Sequence, residues 1–424
     1  MKLYRYPEQS SWKALLQRPV ADAVSLTQRV RTVLDDVKQN GDAAVKHYTK
    51  QFDNVELNTA LVSAADFEEA EQSLSEELKQ AILTAKNNIV LFHEQQISQP
   101  VIVETMPGVQ CWRKSVGIER VGLYIPGGSA PLFSTILMLG VPAVLAGCRE
   151  IVLCSPPDAN GKLHPAILFA AKIVGVTKVF RIGGVQAIAA MAYGTETVPS
   201  VYKIFGPGNQ YVTCAKQLVQ QEGLAIDMPA GPSEVAVFAD DTVPASFIAA
   251  DLLSQAEHGA DSQVLLVTCS EKLIGEVEAA VAEQLAQLPR KDIAAQALTH
   301  SKLILMRDET SAMDLLNEYA AEHLILSCAN AAELAEKVIN AGSVFLGNYS
   351  PESVGDYASG TNHTLPTNGY ARAYSGVSVD SFVRKITFQQ LSYQGLQSIG
   401  STVIQMAEAE GLQAHANAVK VRLQ

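Results

Sequence analysis

The sequence lacks the features that would place it in several common classes of protein. Its six cysteines include no Cys-x-x-Cys pair, so neither a disulfide scaffold nor a cysteine zinc motif is indicated. No run of roughly 18 apolar residues is present, and the first residues have no apolar core of a signal peptide. The net charge is −12 without any Lys/Arg block, which argues against nucleic acid and membranes as partners. We therefore expect a cytoplasmic protein with reduced thiols.

The dinucleotide-binding fingerprint is also missing. No Gly-x-Gly-x-x-Gly motif follows a predicted strand, and the nearest match, Gly206-Pro207-Gly208, has Tyr211 at the third glycine position. The segments Gly127-Gly128-Ser129 and Gly183-Gly184 also lie between a predicted strand and a predicted helix. Turns of this kind can bind phosphate through backbone N–H groups, or they can simply connect the two elements.

The apolar pattern divides the chain into distinct stretches. Residues 24–96 have helical spacing with a capping box at Ser63 and Asp66, and residues 101–125 predict strands with a hairpin. Short apolar strands then alternate with helices over 124–232 and over 234–347, which predicts βα units and mostly parallel sheets. Residues 347–377 have the composition of a long site loop, and residues 378–424 are predicted to be helical.

Two pairs of polar residues are candidates for chemistry. Gln255 and His258 are three residues apart, so we expect them on one face of a helix that ends at Gly259. They are either metal ligands or an ordinary helix end, since glutamine rarely binds zinc. Glu322 and His323 precede an apolar strand, where both side chains can line a cleft. Such a pair provides a general base and activates water, although surface Glu-His pairs are also common.

A third candidate is the polar loop from Asp356 to Thr367. It combines a carboxylate, the imidazole of His363 and several hydrogen-bonding side chains. Loops with this composition often carry binding or catalytic residues. Glu410 and His415, by contrast, look like ordinary surface residues of the helical tail.

Taken together, these segments resemble the histidinol dehydrogenase family. The resemblance extends from about residue 24 to the end of the chain and depends on the joint order and spacing of the motifs. The segments that carry it are Gly122 to Pro131, Ile204 to Asn209, Asp227 to Glu234, Gln255 to His258, Glu322 to Leu324 and Gly355 to His363. The family commonly has proline before the Glu-His pair, where this chain has Ala321, so the backbone there is less restricted but no reacting group is lost.

The resemblance implies an α/β fold of two domains with incomplete Rossmann-like, mostly parallel sheets, and small N-terminal and helical C-terminal pieces. The boundaries expected on this basis are an N-terminal segment at 1–20, a catalytic and zinc-binding domain at 21–123 and 233–377, an NAD-binding domain at 124–232, and a helical tail at 378–424. The tail is expected to complete the active site of the partner subunit in a homodimer.

Site residues are implied in the same way. One Zn²⁺ per subunit would be bound by Gln255, His258, Asp356 and His415, the last from the partner subunit. The expected contacts of NAD are Tyr124, Gln186 and Asn209. The expected contacts of the substrate, L-histidinol, are Ser233, His323, His363 and Glu410, together with the zinc ligands.

The implied reaction is a four-electron oxidation of L-histidinol, through L-histidinaldehyde, to L-histidine, the final steps of histidine biosynthesis. A neutral imidazole with a pKa of ~6.5 suits proton removal near neutral pH, so His323 is expected to be the base. Glu322 is expected to activate the water that hydrates the aldehyde. Zinc is expected to hold the substrate's nitrogen atoms rather than to generate hydroxide.

Three other functions are compatible with parts of the pattern. A zinc-dependent dehydrogenase of another amino alcohol or a sulfonated alcohol would use the same scaffold, although His363 and Glu410 favour a substrate with an imidazole. A non-catalytic dimer stabilised by zinc would need neither Glu322 nor His323. A zinc hydrolase would use Glu322 as a base, but the residues expected to bind NAD would then have no purpose.

Overall fold

The structure is a computed structural model that describes residues 1–19, 23–127, 131–229 and 231–424. Its strands form two parallel sheets and one antiparallel sheet. Within the described residues the strands are β1 (Lys2–Arg5), β2 (Val103–Met106), β3 (Val109–Gly117), β4 (Arg120–Tyr124), β5 (Glu150–Ser155), β6 (Lys178–Arg181), β7 (Lys203–Phe205), β8 (Ala225–Ile226), β9 (Glu234–Ala239), β10 (Gln263–Thr268), β11 (Lys302–Leu305), β12 (His323–Ser327), β13 (Ser343–Leu346) and β14 (Val383–Leu391).

The described residues contain sixteen α-helices, most of which cover the faces of the two parallel sheets. They are α1 (Trp12–Leu15), α2 (Ala23–Asp53), α3 (Ala64–Ser73), α4 (Glu76–Glu94), α5 (Phe133–Leu145), α6 (Pro165–Val174), α7 (Gly184–Tyr193), α8 (Gln210–Gln221), α9 (Ala245–Ala256), α10 (Glu271–Gln287), α11 (Lys291–His300), α12 (Glu309–Tyr319), α13 (Ala331–Ala335), α14 (Glu352–Tyr357), α15 (Tyr393–Ala409) and α16 (Gln413–Lys420). The predicted capping box is present at α3, and α2 is kinked at Gly41. In the described part of the chain, no helix is both long and apolar enough to cross a membrane.

The two parallel sheets share one strand order. The first sheet is β6-β5-β4-β7-β8 and the second is β1-β11-β10-β9-β12-β13. In each, two strands are added on one side of an interior strand (β4 or β9) and then two on the other, which is the Rossmann order without its last strand. This confirms the predicted α/β class with incomplete Rossmann-like sheets. The edge strand β1 comes from the N-terminal segment, where the sequence shows no period.

The alternating direction of side chains along each strand explains why both faces of each parallel sheet are covered. In β9, Val235 and Val237 pack in one apolar cluster with α9 and α10, whereas Ala236 and Phe238 pack in another with α1 and α12. Successive side chains of a strand point to opposite faces, so a strand apolar throughout must be buried on both. Each large apolar side chain buried in this way stabilises the fold by about 1.5–3 kcal/mol.

The prediction that residues 378–424 are entirely helical is wrong for β14. This strand pairs antiparallel with β3 along nine residues, and the pair continues the β2–β3 hairpin. Its residues are mostly exposed and polar, so it has no apolar period that sequence reading could detect. Cross-strand pairing decides its structure, as in the stacking of Phe388 on Trp112 at 5.4 Å. Helices α15 and α16 follow as predicted.

Candidate active site

The acid–imidazole pair lies where the order of the second sheet reverses. His323 is the first residue of β12 and is in register with Val235 of β9, the interior strand from which the order runs both ways. Glu322 immediately precedes the strand, and both residues are buried, at 7% and 3% exposure for Glu322 and His323. The structure brings the two side chains together at the start of the strand, with Glu322 Oε2 3.6 Å from His323 Nδ1.

The imidazole of His323 connects residues from four parts of the chain. Its Nδ1 lies 2.9 Å from the amide Nε2 of Gln255, in the last turn of α9, and 3.2 Å from the backbone oxygen of Glu234. Its Nε2 lies 3.3 Å from Oδ1 of Asp356, which the short helix α14 positions. The ring also packs near Phe345 of β13, with centroids 5.9 Å apart. Glu322, Gln255 and Asp356, which were predicted from separate motifs, thus meet at the imidazole of His323.

An ion pair fixes the backbone that supports Glu322 and His323. The backbone N–H of Glu234 donates to Glu322 Oε2 at 2.8 Å, and its carbonyl is the neighbour of His323 already described. The Glu234 side chain, in turn, accepts two hydrogen bonds from the guanidinium of Arg18, at 2.8 and 2.9 Å. Arg18 also donates to the backbone oxygen of Tyr319 and lies over its ring. Sequence reading missed Arg18, because it belongs to a segment without a period.

Buried carboxylates dominate the electrostatics of this centre. Burial raises the pKa of Glu322 to about 8 and that of Glu352, on α14, to about 7. The pKa of Asp356 is lowered, because hydrogen bonding and charge from nearby imidazoles outweigh its burial. Burial alone would lower the pKa of His323, but Glu322, Asp356 and Glu352 raise it above its ordinary value. Asp356, whose lowered pKa keeps its carboxylate ionised, supplies negative charge that favours a bound cation at this site.

Unpartnered oxygen atoms supply a test of the predicted metal site. Among the described residues, Gln255 Oε1, Asp356 Oδ1 and Glu352 Oε2 are buried polar atoms without a hydrogen-bond partner. Buried polar atoms are normally satisfied, so this cluster indicates that a ligand belongs here. No three His, Cys, Asp or Glu side chains of the described chain already form a preassembled metal cluster. Oxygen atoms of Gln255 and Asp356 beside imidazoles nevertheless form a donor set that fits zinc.

His258 and His363 lie on either side of Asp356. His258 is two residues past the end of α9, so the predicted continuous helix stops short of it and its backbone closes the last turn onto Gln255. It is exposed at the surface, and partial desolvation lowers its pKa despite the attraction of Asp356. His363 is held by the backbone oxygen of Asp356 at 2.7 Å and by the hydroxyl of Thr135 on α5 at 3.0 Å. His363 therefore links the second sheet's centre to the helices of the first.

The remaining substrate and metal candidates are less closely associated with this centre. Ser233 is half-buried directly before β9, and its backbone oxygen accepts a hydrogen bond from Gln263. Glu410 caps the C-terminus of α15 and His415 lies on α16, and both are exposed. Within the described residues, no hydrogen bond or ion pair joins either of them to His323 or Asp356. This chain therefore does not bring them into its own centre.

A large cavity lies beside the first parallel sheet. Its volume is about 1160 Å³, and it opens at the carboxyl ends of β4, β5, β6 and β7. The strand order reverses between β4 and β7, and ligands of open α/β sheets bind in the crevice at such a point. Tyr124 at the end of β4 and Asn209 after β7 both line it. The cavity thus lies where the fold predicts a ligand, without a glycine-rich fingerprint.

Of the three residues predicted to contact NAD, Tyr124 and Asn209 line this cavity and Gln186 does not. Tyr124 is buried, its hydroxyl accepts a hydrogen bond from the backbone N–H of Gly184 at 3.1 Å, and burial raises its pKa to about 12. Asn209 caps α8 by accepting from the backbone N–H groups of Tyr211 and Val212. Gln186 is fully buried on α7 and donates to Asp53 Oδ2 at 3.4 Å. Asp53 lines the cavity and was not predicted.

The backbone conformation of Gly206 explains why glycine is present in the turn of the incomplete dinucleotide-binding fingerprint. Its φ is 123°, and a side chain there would collide with the backbone oxygen of Tyr124, so only glycine fits. Its backbone N–H and oxygen are held by Asp227 and Lys216, at 2.8 Å each. Of the two other glycine turns considered from the sequence, Gly127-Gly128-Ser129 lies partly outside the described residues, which omit 128–130 and also Ala230.

The fold and centre together define an α/β enzyme with a buried acid–imidazole pair and a separate ligand cavity. Comparison with known proteins specifies the family. The model of the histidinol dehydrogenase family matches residues 16–423. Histidinol dehydrogenase of Bacteroides thetaiotaomicron is 62% identical over 423 residues, which are 100% of this chain and 99% of that protein. That of Bacteroides fragilis is 60% identical over 424 residues, again covering 100% and 99%.

A solved structure gives the same result in three dimensions. The crystal structure of histidinol dehydrogenase from Elizabethkingia anophelis superposes with a TM-score of 0.98 at 55% sequence identity, and the match covers 100% of this chain and 98% of that one. This chain therefore belongs to the histidinol dehydrogenase family. The resemblance detected in the sequence is confirmed.

Proposed function

We propose that this chain oxidises L-histidinol through L-histidinaldehyde to L-histidine, using zinc and two molecules of NAD. Membership of the family supports the substrate, and the buried contact between Glu322 and His323 supports the chemistry. Overall, one alcohol and one water yield one carboxylate, two NADH and three protons. Bound NAD would accept each hydride, and a zinc ion on Gln255, His258, Asp356 and the partner subunit's His415 would anchor the substrate's nitrogen atoms.

His323 would take the hydroxyl proton as hydride leaves the carbinol carbon. Its Nε2 is buried and has no hydrogen-bond partner among the described residues, and Asp356 Oδ1 lies 3.3 Å away. The carboxylates around His323 stabilise the imidazolium that proton transfer produces. Gln255 and the backbone of Glu234 fix the orientation of the ring. His323 therefore has the position that a general base requires, and its raised pKa makes the imidazole a strong proton acceptor once it has lost its own proton.

Glu322 would take a proton from the water that adds to the aldehyde. The hydrate then loses its second hydride while His323 again accepts the hydroxyl proton. Burial raises the pKa of Glu322 to about 8, and a pKa near the working pH suits a carboxyl group that exchanges protons in each cycle. The backbone N–H of Glu234 holds one of its oxygens in place.

We further propose that the active enzyme is a homodimer with shared active sites. Glu410 and His415 are exposed at the C-terminal end of the chain, where α15 contacts the antiparallel sheet and α16 packs on α15. Large apolar side chains are exposed on the same part of the molecule, including Ile386, Phe388 and Met406. Exposed apolar surface of this kind is typical of protein interfaces. A second copy would bury it and bring its own Glu410 and His415 to the substrate.

The stoichiometry of NADH formation tests this function directly. NADH produced per histidinol consumed is measured by absorbance, with and without a zinc chelator, and L-histidine is quantified as the product. We expect two NADH per histidinol, and loss of turnover on chelation that added Zn²⁺ restores. One NADH per substrate, or turnover unaffected after complete removal of metal, would contradict the proposal. Other amino alcohols serve as control substrates, and faster oxidation of one of them would assign a different specificity.

A further inference from the structure

Asp53 is a cavity residue that the expected NAD contacts do not include. It is the last residue of α2 and is half-buried where that helix meets the cavity. Among the described residues, the one hydrogen bond to its carboxylate is the 3.4 Å contact from Gln186 Nε2. A carboxylate can accept about four hydrogen bonds, so most of its capacity is available to a ligand.

Gln186 makes this position a built site rather than an exposed acid. Its side chain is fully buried, its Nε2 is directed at Asp53, and its Oε1 has no partner among the described residues. Gln186 itself does not line the cavity, whereas Asp53 does. The ligand therefore meets the carboxylate, and the buried amide holds that carboxylate in place. A group held in this way is an acceptor and needs a hydrogen-bond donor from the ligand.

The other charged side chains of the cavity differ from Asp53. Asp158, the other acid on the described lining, accepts hydrogen bonds at 2.9 and 2.8 Å from the backbone N–H groups of its own turn. The basic side chains on the lining are Arg29, His47, Lys162 and His164. Lys162 is paired with Glu69, and His164 accepts a hydrogen bond from the backbone N–H of Ala166. Arg29 and His47 therefore remain to face the phosphates of a dinucleotide, and Asp53 remains to meet an uncharged donor.

We propose that Asp53 selects NAD over NADP by accepting a hydrogen bond from a ribose hydroxyl. This rests on the NAD dependence proposed above. A ribose diol donates hydrogen bonds to a carboxylate, whereas the 2′-phosphate of NADP has no donor to offer at neutral pH and is repelled by the negative charge. Gln186 acts through Asp53 as a positioning residue. Selectivity against NADP is therefore assigned to a residue of the helix α2, outside the βα units that form the sheet.

Direct binding measurements test the inference without turnover. The dissociation constants of NAD and NADP are measured by calorimetry for the wild type, for Asp53→Asn and for Asp158→Asn as the matched control. Asp53→Asn should reduce the preference for NAD at least about tenfold, because an amide neither repels phosphate nor requires a donor. Asp158→Asn removes the same charge from the same cavity and should keep the wild-type ratio. Equal melting temperatures show that the variants are folded, and Asp53→Ser provides a second replacement.

The outcomes separate this inference from the proposed function. If the ratio of the NAD and NADP dissociation constants is unchanged in both Asp53 variants, the inference is overturned. An equal change of that ratio in Asp158→Asn also overturns it, because the change would then reflect the overall electrostatic potential of the cavity. In both of these cases, the proposed function is still supported if the wild-type protein oxidises histidinol with NAD. Wild-type protein that binds NADP as tightly as NAD contradicts the inference as well, whatever its activity.

Discussion

Replacement of Arg18 by methionine tests the support of the catalytic pair most directly. The guanidinium makes a bidentate ion pair with Glu234 and a 2.7 Å hydrogen bond to the backbone oxygen of Tyr319. Methionine keeps much of the side chain's length but removes all of these donors. Among the described residues, the carboxylate of Glu234, with 1% of the residue exposed, would then keep only the 2.7 Å hydrogen bond from the backbone N–H of Asn368.

The magnitude follows from burial. Removing one partner of a buried ion pair leaves an uncompensated charge and costs about 3–5 kcal/mol. An exposed ion pair contributes only about 0–1 kcal/mol, because water already solvates both charges. Arg5 and Glu271 form such a pair at 2.7 Å, with more than half of each side chain exposed. Arg5→Met is therefore the matched control, with the same substitution at a contact of similar length.

Urea unfolding of both variants and the wild type, followed by circular dichroism and by tryptophan fluorescence, measures the difference. We expect Arg18→Met to lower the free energy of unfolding by about 3–5 kcal/mol and Arg5→Met by about 1 kcal/mol or less. Glu234→Gln in the Arg18→Met background should recover part of the loss, because it removes the stranded charge. Equal effects of Arg18→Met and Arg5→Met would refute the reasoning, since burial would then not decide the contribution.

Three further predictions concern the reaction, the dimer and the pH dependence of stability. Glu322→Gln should slow histidinol oxidation to histidine at least about 100-fold and affect oxidation of supplied histidinaldehyde hydrate less; equal loss in both assays would contradict water activation. Mixing refolded His415→Ala and Gln255→Ala subunits should restore about a quarter of wild-type activity, because half of the random dimers are mixed and each mixed dimer has one intact site of its two. If no activity is recovered, His415 belongs to the active site of its own subunit. Burial raises the pKa of Asp251 to about 7 in the folded state. Between about pH 4 and pH 7 the folded state therefore binds more protons than the unfolded state, and the free energy of unfolding decreases as the pH rises through this range. Asp251→Asn should remove that part of the pH dependence in unfolding curves recorded at pH 5 and pH 8, and an unchanged difference would show that Asp251 does not titrate there.

Local pattern determined much of the architecture. The alternation of short apolar strands with helices predicted both parallel sheets, because a strand buried on two faces must be apolar throughout and a covering helix must be amphipathic. The capping box at Ser63 depends only on neighbouring residues, and the structure has it as predicted. The position of Glu322 and His323 at the start of a strand was also readable, since the apolar run that follows them is short and bounded.

Contacts between segments that are distant in the sequence decided the structural features that local pattern did not predict. The strand β14 has no apolar period and forms because β3 offers it a partner, so its own sequence carries no signal. Arg18 and Asp53 gain their importance from Glu234 and Gln186, which are 216 and 133 residues away along the chain. The sequence by itself determined most of the strands and helices of the two parallel sheets and the family that the chain resembles. Only the tertiary structure decided which charges are buried together, because burial and proximity depend on how those elements pack and not on their order.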